Sequence, residues 1–125
     1  MTGYISNIEK ETLENEYFRQ VLFTGAHSQL VVMSLLPKEE IGMEVHQDVD
    51  QFIRIEEGEG VVILNGEEMK LEDDFAIVIP AGTEHNIINT SQDKKMKLYS
   101  IYSPAEHPDG TIDETKEDAM KREME

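Results

Sequence analysis

The chain has 125 residues and a formal net charge of −16, with 27 acidic side chains against 11 lysines and arginines. Such a field repels nucleic acid and anionic membrane surfaces, which argues against both as partners. There is no cysteine, so disulfides and thiolate chemistry are excluded, and no apolar run approaches the roughly 20 residues that span a bilayer. Residues 1–10 are too polar for a signal peptide, and a cytoplasmic protein is expected. The length fits one domain, residues 1–125, with a single core and no dividing repeat or linker.

Residues 2–16 are polar and acidic, with Ile5, Ile8 and Leu13 sparsely placed. They read as a loop or one helical turn lying on the core. From Tyr17 the texture changes to β-branched and large apolar residues, and strands are expected over 18–24 and 29–36. Gly25 breaks the two, and Pro37, with no amide to donate to a ladder, ends the second. Further strands are expected over 41–46, 51–56, 60–64, 67–71, 75–79, 84–89 and 96–103. Asn65-Gly66 is a hairpin signal, because a type I′ turn needs positive φ at both positions. Glu57-Gly58-Glu59-Gly60 is a flexible corner, and Ile79-Pro80-Ala81-Gly82 fits a type I turn. Many short strands without intervening helices indicate an all-β sandwich or barrel, its core at about 17–103.

After Pro104 the pattern changes. His107-Pro108-Asp109-Gly110 is a turn, and Thr111-Ile112-Asp113-Glu114 matches a capping box. Glu117 with Lys121, and Asp118 with Arg122, are favourable i,i+4 pairs. Ile112, Ala119, Met120 and Met124 form a thin apolar stripe. A short C-terminal helix over about 111–124 is expected.

Two stretches carry the chemistry: GMEVHQDVDQFIRIEEG, residues 42–58, and DFAIVIPAGTEHNIIN, residues 74–89. Side chains two apart in a strand share a face, so Glu44 aligns with His46, and Thr83, His85, Ile87 and Asn89 align with one another. In a closed barrel Glu44, His46, Gln51 and His85 can converge on one point. Imidazole nitrogen with carboxylate oxygen suits divalent transition ions such as Fe, Mn, Ni, Zn and Co.

The two stretches resemble the paired motifs of the cupin superfamily, G-x5-H-x-H-x(3,4)-E-x6-G and G-x5-P-x-G-x2-H-x3-N. The second is met at Pro80, Gly82, His85 and Asn89, with Asp74 in place of its leading glycine. The first is met in part: Gln51 stands where a glutamate is expected, His46 at the second histidine, Glu44 at the first and Lys38 at the leading glycine. The resemblance implies a double-stranded β-helix (jelly-roll) barrel with a metal held by Glu44, His46, Gln51 and His85. The carboxylate is then moved from the third ligand position to the first, which keeps one negative charge in the set. A rival register takes Asp48 as a ligand and drops Glu44, but Asp48 lies in a turn-like QDVD and its spacing to Gln51 is too short.

Outside that set, Asn89 suits a strand end, Asp50 a loop or surface carboxylate, and His27 a structural role. His107 is expected in solvent unless the tail folds over the barrel mouth. Tyr99, Tyr102 and Arg54 are candidates to line the pocket, with core packing or surface exposure as the commoner fate. The resemblance implies a metal-dependent enzyme of isomerase or dioxygenase type, acting on a small oxygenated or sugar-like metabolite. Short single-domain members include proteins loosely labelled mannose-6-phosphate isomerase-like, though no phosphate-binding motif is present here. The alternatives are a non-enzymatic small-molecule or sugar-binding module and a jelly roll with an empty site. A homodimer is expected from the resemblance alone.

Overall fold

The computed structural model describes residues 2–124. A short helix α1 (Ile8–Glu14) precedes nine strands: β1 (Arg19–Thr24), β2 (Gln29–Leu35), β3 (Asp50–Glu57), β4 (Gly60–Leu64), β5 (Glu67–Leu71), β6 (Ala76–Ile79), β7 (His85–Asn89), β8 (Met96–Ser103) and β9 (Ile112–Asp113). Helix α2 (Lys116–Glu123) follows. The strands form two antiparallel sheets, ordered β6-β3-β8-β2-β1-β9 and β5-β4-β7. Their inner faces close on one another as a jelly roll. Alternation along β2, β3 and β8 puts Val31, Met33, Leu35, Ile53, Ile55, Met96 and Leu98 in the core, each almost wholly buried.

Turn chemistry sets the corners. Asn65 and Gly66 have φ of 49° and 84°, as a type I′ hairpin between β4 and β5 requires. The turn before β7 begins one residue later than its sequence suggests. Thr83 N–H donates to Pro80 O at 3.2 Å, which puts Gly82, at φ 85°, in the third place of a type II turn. At Gly60 a Cβ would sit 2.1 Å from Ile88 O, so only glycine lets β4 approach β7 there.

Four expectations are corrected. Residues 41–46 do not form a strand; Gly42, at φ 110°, breaks the ladder and leaves isolated bridges at Glu40–Ile88 and Glu44–His85. The capping box at Thr111 does not start a helix. Thr111 Oγ1 donates instead to Pro108 O at 2.6 Å, and Ile112–Asp113 pairs with β1. The helix begins four residues later, where Thr115 Oγ1 accepts from Asp118 N–H at 3.1 Å. The reason is Asp113, buried against β1 and bonded by Arg122 Nε and Nη2 at 3.0 and 2.8 Å. That pairing takes Arg122 from its expected partner Asp118, whereas Glu117 and Lys121 do pair, at 3.1 Å. Of the expected stripe only Ala119 is buried; Ile112, Met120 and Met124 are exposed. Helix α1, capped by Asn7, packs on the outer face of the large sheet, where Val32, Ser34 and Lys97 are buried.

Lys38 and Asp74, which replace the two expected glycines, still adopt the glycine-like backbone, with φ of 66° and 71°. The left-handed conformation costs a non-glycine residue about 1–2 kcal/mol, partly offset by about 0.4–1 kcal/mol less freedom in the unfolded chain. Asp74 has the compensation of a 2.9 Å bond from Arg54 Nη2. Lys38 is exposed and takes part in no ion pair among the described residues. Lys38→Gly is therefore expected to stabilise the fold by roughly 0.5–1 kcal/mol, read as a melting temperature a few degrees higher. Asp113→Ala removes the buried counter-ion of Arg19 and Arg122, and urea unfolding should show a loss of about 3 kcal/mol.

Candidate metal centre

The site is assembled from three separate segments of the chain. Glu44 and His85 face each other in an antiparallel bridge, each N–H donating to the other's carbonyl at 2.9 Å. That pairing fixes Glu44 against the first residue of β7, and His46, two residues on, falls on the same side. One donor atom from each of Glu44, His46 and His85 lies within 4.8 Å of the others. The imidazole centroids are 5.2 Å apart, and His46 Nε2 stands 3.9 Å from Glu44 Oε1.

Neighbouring oxygens favour one ring nitrogen of each neutral histidine as the free one. His85 Nδ1 lies 2.9 Å from Thr83 O. A carbonyl can only accept, so Nδ1 carries the proton and Nε2 holds a bare lone pair. His46 Nδ1 lies 3.3 Å from Glu106 Oε1, a carboxylate contact that in the neutral ring favours the proton on Nδ1 and leaves Nε2 bare. Both Nε2 atoms are buried without a partner among the described residues.

Gln51, on β3 between Ile79 and Tyr102, is 3% exposed. Its Nε2 donates to Ser100 Oγ at 3.2 Å, and its Oε1 is another buried acceptor without a donor. An unmet buried polar atom costs about 1–3 kcal/mol. These three are all lone-pair donors, so what would satisfy them is a cation or a hydrogen-bond donor. Mixed imidazole and oxygen donors fit a divalent transition ion. Burial raises the Glu44 carboxyl above its ordinary value, while His46, Arg19 and His85 pull it back.

Asp48 is exposed and stands outside the cluster. Asp50 is also exposed and accepts from Ala81 N–H at 2.8 Å, a structural turn bond. Asn89 donates to Leu35, Leu36 and Lys94 carbonyls and accepts from Ser91 N–H, fastening the end of β7. His27 lies exposed in the β1–β2 connection, so the structural role expected for it is not found. Arg54 pairs on the surface with Glu56 and Asp74, and Tyr99 sits on the outer face against Phe52.

Tyr102 and His107 come inward. Tyr102 is buried, its ring edge-on to His46 at 5.9 Å and to His107 at 5.1 Å, and His107 Nε2 lies 3.4 Å from its hydroxyl. Burial pushes the Tyr102 phenol well up, so it stays protonated. The tail does fold over the barrel, held by buried Gln29. Gln29 Oε1 accepts from Glu106 and His107 N–H, and its Nε2 donates to His107 O at 2.7 Å. Sequence reasoning missed Glu106 and Gln29. Gln29 had a signal, a polar residue in phase with the inward Val31, Met33 and Leu35; Glu106 had none. A surface cavity of about 660 Å³ beside Glu57, Glu72 and Lys95 shares no residue with this chamber.

A family model described as Cupin domain matches residues 31–102. The chain is 48% identical over 126 residues to the protein YrkC of Bacillus subtilis, covering 96% of this chain and 67% of that one. It is 51% identical over 113 residues to a protein of Acanthamoeba polyphaga mimivirus, covering 88% and 71%. The crystal structure of BH2720 from Bacillus halodurans superposes with a TM-score of 0.92 at 47% identity, covering 94% of this chain and 93% of that one.

His107 supplies a pH test of the closed tail. Burial, followed by the charges of Arg19, Arg122 and His46, lowers its pKa from 6.5 to about 3. Between those values the unfolded chain binds a proton that the folded chain refuses. Stability from this group is therefore present above about pH 6.5 and is lost as pH falls toward 3, at up to about 1.4 kcal/mol per unit. His107→Gln should flatten that acid limb in urea titrations; an unchanged limb would show the ring is not held neutral.

Proposed function

The chain belongs to the cupin family, and from that premise we propose that it is a metal-binding cupin acting as a metal-dependent enzyme. Glu44, His46 and His85 would hold a divalent transition ion (Fe, Mn, Ni, Zn or Co), with Gln51 Oε1 turned into the same chamber. The substrate class is a small oxygenated or sugar-like metabolite, and the reaction is of isomerase or dioxygenase type. One observation carries the reading: one donor atom each from Glu44, His46 and His85 lies within 4.8 Å of the others, and the Nε2 atoms of both histidines are buried with no hydrogen-bond partner among the described residues.

When bound, such an ion supplies Lewis acidity toward a substrate oxygen. The chain's own groups do the rest. Thr83 O and the Glu106 carboxylate hold the two rings in the tautomer that presents Nε2. Tyr102, kept protonated by burial, offers a phenolic hydrogen-bond donor beside His46. The 104–107 segment, pinned by Gln29, sets Glu106 beside His46 and His107 beside Tyr102.

Protein prepared without chelators or nickel resin should carry about one divalent ion per chain by elemental analysis. His46→Ala and His85→Ala should each lose nearly all of it. Glu106→Gln should retain the site but bind about 10–100-fold more weakly, the usual cost of losing an outer carboxylate. Wild-type protein that takes up none of the five ions would sink the reading. A turnover screen for oxygen uptake and sugar isomerisation on loaded protein separates an enzyme from a binding module.

A further inference from the structure

Resting on the metal reading, we infer that Arg19 forms a carboxylate subsite in the same chamber, so that the ligand is a small organic acid. Its carboxylate would pair with the Arg19 guanidinium while another of its oxygens faces the Glu44, His46 and His85 cluster.

Arg19 lies on the inner face of β1, across from core Met33 on β2 and Asp113 on β9, and is 2% exposed. A guanidinium carries five N–H donors, and each needs an acceptor when buried. Among the described residues only Nη1 finds any, Asp113 Oδ2 and Glu123 Oε1, both at a long 3.4 Å. Nε is buried with none. The tighter pair is Asp113 with Arg122, at 2.8 and 3.0 Å, and Arg19 keeps only the longer contact to the same carboxylate. The Phe18 ring, 5.3 Å from Cζ, packs against the flat face of the group without using an N–H.

The position suits a ligand that also reaches the ion. Arg19 and Tyr102 are both buried on the inner face of the large sheet, where Tyr102 meets His46 edge-on at 5.9 Å, and the Arg19 charge lowers the pKa of Glu44, Tyr102 and His107. A chain of net charge −16 repels organic anions, so taking one inside requires a fixed buried cation to meet it. Glu123, at the end of α2 with a side chain 49% exposed, occupies the place such a carboxylate would take. It is the weakly held stand-in that an acid displaces. The planar fork of arginine binds a carboxylate through two parallel hydrogen bonds, a geometry lysine cannot copy.

Cobalt-loaded protein is titrated calorimetrically with malonate and with its neutral analogue malonamide. Wild type should bind malonate at least tenfold more tightly than malonamide. Arg19→Met should weaken malonate at least tenfold while cobalt content and malonamide binding stay as in wild type. Equal malonate affinity in Arg19→Met and wild type overturns the subsite, since the ion alone would then account for binding. If Arg19→Met does not fold, the decision passes to Glu123→Gln, which removes the half-exposed competitor. Malonate affinity should then rise threefold or more, and an unchanged value overturns the proposal. Wild type that holds no cobalt sinks the metal reading instead, a result visible before any acid is added.

Discussion

The structure at the centre depends on one short piece of backbone pairing, the bridge that ties residue 44 to residue 85. The segment carrying Glu44 and His46 is too irregular to be a strand, and Gly42 turns it out of register. It is nevertheless fixed, because Asn86 bonds to the break itself and to the residue two before it. Its Oδ1 accepts from Gly42 N–H at 2.8 Å and its Nδ2 donates to Glu40 Oε1 at 3.0 Å. A side chain on β7 thus does the work that ladder bonds would do elsewhere. Without it, two residues far apart in sequence would have no reason to present their side chains to the same point.

The interior polar groups divide into two kinds. Asn89 and Gln29 use their amides in full to pin β7 and the 104–107 segment, and such groups are expected of a stable interior. Among the described residues six buried side-chain atoms have no partner, and three of them belong to His46, His85 and Gln51. A fourth is Arg19 Nε. The contrast lies in sign as well as in satisfaction. In neutral side chains the first three atoms are acceptors, whereas the fourth is a donor.

The C-terminal region packs against this site. Asp113 is drawn onto β1 by two arginines, which converts the expected start of a helix into a strand and moves α2 four residues down the chain. The same fold-back carries Glu106 to His46 and His107 to Tyr102. Local helix propensity lost to a buried, bidentate charge pair, which is the larger energy.

The sequence by itself determined the all-β fold, most strand positions, and the candidacy of Glu44, His46, Gln51 and His85. These follow from period-two alternation, from turn residues that demand particular backbone angles, and from motif spacing, all of which are local. It even marked the two left-handed positions, although Lys38 and Asp74 occupy them in place of glycine. Only the tertiary structure decided that Glu106 and His107 pack against the site, that Gln29 holds them there, and that Arg19 is buried with an Nε lacking a hydrogen-bond partner among the described residues. Those outcomes rest on contacts between residues as much as 104 positions apart, set by competition among buried charges that no local pattern records.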